Sequence, residues 1–170
     1  DKTGTLTTGR LDVAHVEAAS GFTVEDLLRV AGAVEDGSTH PIATAITAHA
    51  RTTGSTLPGV EGFTGLPGLG AAGRVDGIDV LVGSPRLFTD RGVIIPDDIA
   101  AACATWQARG CTSILIGCAG GAVGLIALTD TVKASARPAV EALHRLGLRV
   151  VLLTGDNQAT ADAVAGFVGV

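Results

Sequence analysis

Asp1 opens the chain with a carboxylate that can attack phosphorus and form an acyl phosphate. The six residues after it, Lys2-Thr3-Gly4-Thr5-Leu6-Thr7, are of types that can serve such an attack. Gly4 lets backbone approach a phosphoryl group closely, and the hydroxyls and amides of Thr3 and Thr5 can donate to its oxygens. Lys2 adds one positive charge. Near the other end lies Leu153-Thr154-Gly155-Asp156-Asn157. Alone this is a strand-to-helix turn with an N-cap; paired with Asp1 it reads as a phosphate clamp. A third group is Glu35 with His40-Pro41. As bare residues His40-Pro41 caps a helix, but the imidazole can also face a purine base while Glu35 accepts from an exocyclic amine. Stacking a base on a side-chain ring is worth about 1–3 kcal/mol.

Positioning these groups requires strands and helices in a definite order. Residues 10–16 alternate and predict a strand leading away from Asp1. Thr23 predicts an N-cap, with Glu25 and Asp26 favouring the positive end of a helix dipole. Val24, Leu27, Leu28 and Ala31 mark that helix's apolar face, to about Glu35. Asp36–Thr39 reads as a turn, and Pro41 sits at the first position of a second helix over 42–50. Strand patterning follows over 60–63, 71–75 and 78–82, with Asp76-Gly77 suited to a type I′ hairpin and 65–70 to a turn. Helices are predicted over 85–90 and 96–109, the latter stopped by Gly110. Apolar strands are predicted over 112–118 and 122–128 around Gly120-Gly121. A helix over 135–146, stopped by Gly147, leads to 149–153, an apolar run that predicts a buried parallel strand. Thr154 then falls at its C-terminal end, the ligand edge of an open α/β sheet. A final helix is predicted over 158–167.

Gly68-x-Gly70-x-x-Gly73 has the spacing of a dinucleotide fingerprint. That fingerprint needs a helix opening inside it, whereas Arg74–Val80 reads as strand and turn, so the Rossmann reading fails. Composition narrows the rest. At 46% hydrophobic and 17% charged the chain is globular. A net charge of −5, with Lys2 and Lys133 the two lysines, offers no basic stripe for nucleic acid. The apolar runs over 112–128 and 148–153 are broken by Gly or too short to span a bilayer, and no signal peptide is expected within these residues. A soluble piece is expected. Three cysteines without C-x-x-C, and four histidines without matching spacing, predict no metal centre built from them.

Asp1–Thr7 resembles the phosphorylation motif of the P-type ATPases, a branch of the haloacid dehalogenase-like phosphoryl-transfer superfamily. Leu153–Asn157 is similar to the segment whose threonine holds the phosphoryl group there. Glu35-x-x-x-x-His40-Pro41 resembles the nucleotide-binding signature of the heavy-metal (P1B) subgroup, and the lack of lysine between Arg10 and Leu128 agrees with a histidine-type site. Gly68 and Gly70 resemble that subgroup's Gly-x-Gly. Gly83 matches its Gly-Asn, while Ser84 departs from it.

The resemblance implies an α/β fold in which an α+β nucleotide-binding domain, residues 10–128, is inserted into a Rossmann-like phosphorylation domain, residues 1–9 and 129–170. It implies ATP and Mg²⁺ as cofactors, with Asp1 as nucleophile and metal ligand, the Thr3 carbonyl as a second ligand, and Lys2, Thr5, Thr154, Gly155 and Asp156 around the phosphoryl group. Glu35, His40, Gly68, Gly70 and Gly83 would bind the nucleotide. A phosphatase of the superfamily carries a second acid two residues after the nucleophile; here that position is Thr3, which leaves a long-lived phospho-aspartate. The implied function is therefore the catalytic region, on the cytoplasmic face, of a membrane pump for a heavy-metal cation bound elsewhere, copper being the first expectation. A soluble phosphatase and a stand-alone nucleotide-binding module are the alternatives. The family's later Lys, its Gly-Asp-Gly-x-Asn-Asp segment, its actuator domain and its membrane helices do not occur in these 170 residues. The sequence thus reads as a piece expected to bind ATP with little turnover.

Overall fold

A computed structural model describes residues 1–54, 56–155 and 158–170. After one wide turn over Lys2–Leu6, strand β1 runs from Thr7 to Ala18, followed by helices α1 (Val24–Glu35) and α2 (Pro41–Thr52). Three strands follow: β2 (Val60–Leu66), β3 (Gly70–Val75) and β4 (Ile78–Gly83). Helices α3 (Pro85–Asp90) and α4 (Asp97–Ala108) lead to β5 (Thr112–Cys118) and β6 (Gly121–Val132), and α5 (Ala136–Arg145) and α6 (Gln158–Val168) finish the chain. The strands form a six-stranded sheet in the order β1-β6-β5-β4-β3-β2, every neighbouring pair antiparallel.

Both faces of the sheet are covered, and the strand period of two sorts the core. Ile114, Ile116, Ile126 and Leu128 pack with Leu27, Leu28 and Val34 of α1 and Ile46 of α2. Their neighbours along the strands, Leu115 and Leu125, pack with Leu87 and Phe88 of α3 and Ile99 of α4. A strand with apolar neighbours on each side loses polar/apolar alternation, which is why β5 and β6 read as continuous apolar runs. A smaller cluster joins Ala136 and Val140 of α5 to Val168 of α6, with Leu6 and Val132 beside it.

Local signals landed where chemistry dictates. Thr23 caps α1, its side chain accepting from Asp26 N at 3.1 Å. Asp76 and Gly77 have φ of 49° and 78°, the left-handed pair that a type I′ turn demands. The β5–β6 turn uses the same geometry at Ala119 and Gly120, φ 48° and 89°, one residue earlier than the glycine pair suggests. The β1–β6 ladder also outruns the expected domain borders, pairing Thr7 with Val132.

One expectation fails. Residues 149–153 form no strand; the segment is irregular, and Val151 and Leu153 are 69% and 77% exposed. Apolar character alone does not make a strand, because its N–H and C=O groups need a neighbour's ladder. Among the described residues the sheet ends in β1 and β2, and neither edge takes this segment. Thr154 is consequently half-buried in irregular chain and not at the end of a parallel strand.

Replacing Thr23 with Ala removes the acceptor for one orphan amide. We expect a loss of about 1 kcal/mol in urea denaturation, with the sheet signal in circular dichroism retained.

Candidate functional site

The turn carrying Asp1 is held by hydrogen bonds from opposite ends of the chain. Thr5 donates its hydroxyl to Asp1 Oδ2 at 3.0 Å, with both side chains exposed. Gly4 adopts φ 77°, which lets the chain reverse, and its N–H donates to Thr7 Oγ1 at 3.2 Å. Thr7 is fully buried; its Oγ1 lies 2.5 Å from Asp130 Oδ2 and 3.1 Å from the Lys2 carbonyl. Asp130 Oδ1 accepts from Gly9 N at 3.1 Å. Lys133 Nζ donates to the Gly4 carbonyl at 2.6 Å, and its own amide donates to Leu6 O at 2.9 Å.

The positive charges are therefore distributed differently from expectation. Lys2 is 5% exposed and partnered, whereas Lys133 brings its ammonium to the loop. Sequence reasoning put a domain border at residue 129 but missed that the side chains of Asp130 and Lys133 brace the turn carrying Asp1. The available signal was an acid and a rare lysine closing an otherwise apolar strand.

A cavity of about 720 Å³ opens beside α1 and α2. Its lining includes Glu35, His40, Gly68, Gly70 and Gly83, so the structure brings the five expected nucleotide-binding residues together. The N-cap of α2 is His40, whose Nδ1 accepts from Ile42 N at 3.3 Å while the exposed ring borders the cavity. Capping and base-binding readings of His40 are thus compatible, since the first fixes the ring for the second. Burial raises the Glu35 carboxyl from its ordinary 4.5 to about 7.

The glycines have reasons of their own. Leu69 N donates to Leu66 O at 2.9 Å across a turn with Pro67 and Gly68 at its corners, Gly68 at φ 72°, which is type II geometry. Gly70 and Gly83 face each other across the β3–β4 ladder. A Cβ on Gly70 would lie 2.1 Å from Val82 O, and one on Gly83 would lie 2.4 Å from Leu69 O. Their bareness is required by the strands themselves, before any ligand is considered. Ser84, the departure from the resembled motif, caps α3 by accepting from Leu87 N at 3.4 Å.

The two sites share one end of the sheet. Thr112 at the start of β5 lines the cavity and pairs with Leu128, which pairs with Val13. From there β1 and β6 continue to Thr7 and Val132, about 14 Å farther, where the Asp1 turn begins. Gly155 lies on the cavity wall; Asp156 is outside the described residues. Among the described residues no cluster of three or more His, Cys, Asp or Glu could hold a metal by itself. Asp1 and the Thr3 carbonyl nevertheless suit Mg²⁺, which commonly takes one or two carboxylates and completes its shell with phosphate and water oxygens.

Three outcomes follow. Because folded Glu35 holds its proton to about pH 7 and unfolded Glu35 to about 4.5, the folded state binds more protons in that window. Its contribution to stability is present below about pH 4.5 and is lost as pH rises through 7, a change on the order of 3 kcal/mol. Glu35→Gln should flatten that part of a stability–pH profile measured by urea denaturation. Gly83→Ala should cost about 2 kcal/mol or more by overpacking the β3–β4 contact. Gly68→Ala should cost less, since only its positive φ is strained and no atom lies within 4 Å.

The chain matches the model of the haloacid dehalogenase-like hydrolases over residues 1–170. It is 42% identical over 170 residues to a probable copper-exporting P-type ATPase V of Mycobacterium tuberculosis, covering 100% of this chain and 22% of that protein. The structure of a zinc-transporting PIB-type ATPase in an E2.Pi state superposes with TM-score 0.72 at 38% identity, over 99% of this chain and 27% of that one. The N-domain of HMA8, a copper-transporting P-type ATPase, superposes with TM-score 0.58 at 30% identity, over 69% of this chain and 99% of its own. The chain therefore spans about a fifth of the length of the curated relative it matches. It belongs to the haloacid dehalogenase-like hydrolases, and along its whole length it is similar to the catalytic region of heavy-metal-transporting P-type ATPases.

Proposed function

We propose that this chain is the ATP-binding and phosphorylation region of a heavy-metal-exporting P-type ATPase, with residues 10–128 as the nucleotide-binding domain and residues 1–9 and 129–170 as the phosphorylation portion. The observation that supports it most is the common placement of the Asp1 turn and the Glu35/His40 cavity at one end of the sheet. In this reading His40 stacks on adenine, Glu35 meets the base edge, and the triphosphate extends toward Asp1. A carboxylate oxygen of Asp1 attacks the γ-phosphorus in line. The bond from that phosphorus to the bridging oxygen breaks, ADP leaves, and an acyl phosphate remains. Thr5 and Thr154 donate to the phosphoryl oxygens. Mg²⁺ on Asp1 and the Thr3 carbonyl would neutralise developing negative charge.

Thr3 keeps the intermediate alive. With no acid two residues after the nucleophile, no built-in base activates water there, so the phospho-aspartate persists long enough to drive a change elsewhere in the pump. Among the described residues no helix is long and apolar enough to cross a membrane. Transport would then be the work of other parts of the full-length protein, with this region on the cytoplasmic face. Copper is the proposed cargo, in keeping with the copper-exporting relative.

Labelling the full-length protein with γ-³²P-ATP should give an acid-stable phosphoenzyme that hydroxylamine cleaves. Asp1→Asn should abolish it; undiminished labelling would overturn the assignment. Cuprous ion should stimulate that turnover more than zinc. In the 170-residue chain, His40→Ser keeps a cap for α2 but removes the ring. ATP affinity should fall about tenfold by calorimetry while the melting temperature holds.

A further inference from the structure

Glu35 is 5% exposed on the wall of the cavity, and among the described residues no hydrogen bond reaches its carboxyl. Charged groups on the neighbouring elements are engaged with others. Asp36 beside it pairs with Arg51 of α2 at 2.7 Å, and Arg29 of α1 pairs with Asp76 at 2.6 Å. Arg86 of α3 lines the cavity but lies 3.4 Å from Asp90, and the Nδ1 of His40 is taken by Ile42. The parts of the wall supplied by β2, β3, β4 and β5 carry no ionisable side chain. A carboxyl in such surroundings keeps its proton more readily than one in water.

We propose that Glu35 meets adenine as a carboxylic acid, donating its O–H to ring N1 and accepting from the N6 amine, so that binding an adenine nucleotide takes up a proton. This rests on the cavity being the adenine end of an ATP site. Adenine presents an acceptor beside a donor, and a neutral carboxyl presents a donor beside an acceptor, so both bonds form. A carboxylate has acceptors only; it keeps the amine but sets a lone pair against N1. Guanine differs, because its N1–H and N2 amine are adjacent donors that a carboxylate accepts together. Both bases suit the neutral acid, and only guanine suits the anion. A glutamine amide, again donor beside acceptor, copies the neutral acid at every pH.

The test titrates MgATP and MgGTP by calorimetry into wild type, Glu35→Gln and Glu35→Ala, from about pH 6 to about pH 8.5. Wild-type affinity for MgATP should fall about tenfold across that range, the worth of one hydrogen bond, while MgGTP affinity holds. Glu35→Gln should keep the wild-type affinity seen at low pH and show no slope. Buffers of different protonation enthalpy should report proton uptake by wild type and none by Glu35→Gln. An ATP-to-GTP ratio independent of pH overturns the proposal, as does a Glu35→Gln affinity as low as that of Glu35→Ala. Should either variant fail to fold, the wild-type ratio decides alone. If His40→Ser binds MgATP as well as wild type, the cavity is not the adenine site and the underlying reading falls too. A pH-independent ratio with His40→Ser weakened removes only the protonated carboxyl.

Discussion

The carboxylate of Asp130 ties the beginning of the chain to its second half. Its two oxygens engage the buried Thr7 hydroxyl and the Gly9 amide, 123 and 121 residues away in sequence. Closing so long a loop is entropically expensive, and the β1–β6 ladder with its flanking core supplies the compensating contacts. Once that closure is made, the turn over Lys2–Leu6 has little freedom left. Thr7 receives Gly4 N, Lys133 takes Gly4 O, and Asp1 is left at the surface with Thr5 donating to it. In its proposed role as nucleophile, Asp1 on so constrained a turn would meet a phosphate without rearranging its own backbone, the form of preorganisation that lowers a transfer barrier.

The cavity beside α1 and α2 is built by different means. Its floor is backbone: Gly70 against Gly83, and the Pro67-Gly68 corner. Its polar groups come from the end of α1 and the start of α2. Bare strands give a ligand flat access, and helix termini supply the few groups that discriminate. Apolar packing on both sheet faces keeps this arrangement stiff.

What the sequence disclosed divides along the range of the interactions. The Thr23 cap, the Asp76-Gly77 turn and the proline opening α2 depend on neighbours within four residues, and each stands where its residues place it. Glu35 and His40 were legible for a related reason: five residues of spacing hold them at adjoining helix ends. Asp130 and Lys133 were not, because their importance lies in partners more than a hundred residues distant. The apolar run over 149–153 misled in the opposite sense. Hydrophobicity marks a segment's wish for cover but carries no record of which strand provides it. Ser84 shows a third case, a departure from a motif whose hydroxyl has local employment at a helix start.

The capping bond of His40 also bears on how the ring treats metals. With Nδ1 accepting from Ile42, a neutral imidazole must carry its proton on Nε2 and offers no lone pair outward. A soft cation seeking Nε2 would drive that proton to Nδ1, opposite the amide it now receives, and the helix would lose its cap. In a chain similar to a probable copper-exporting ATPase, the same bond that aims the ring therefore discourages a soft metal ion from occupying the proposed base-facing side of His40.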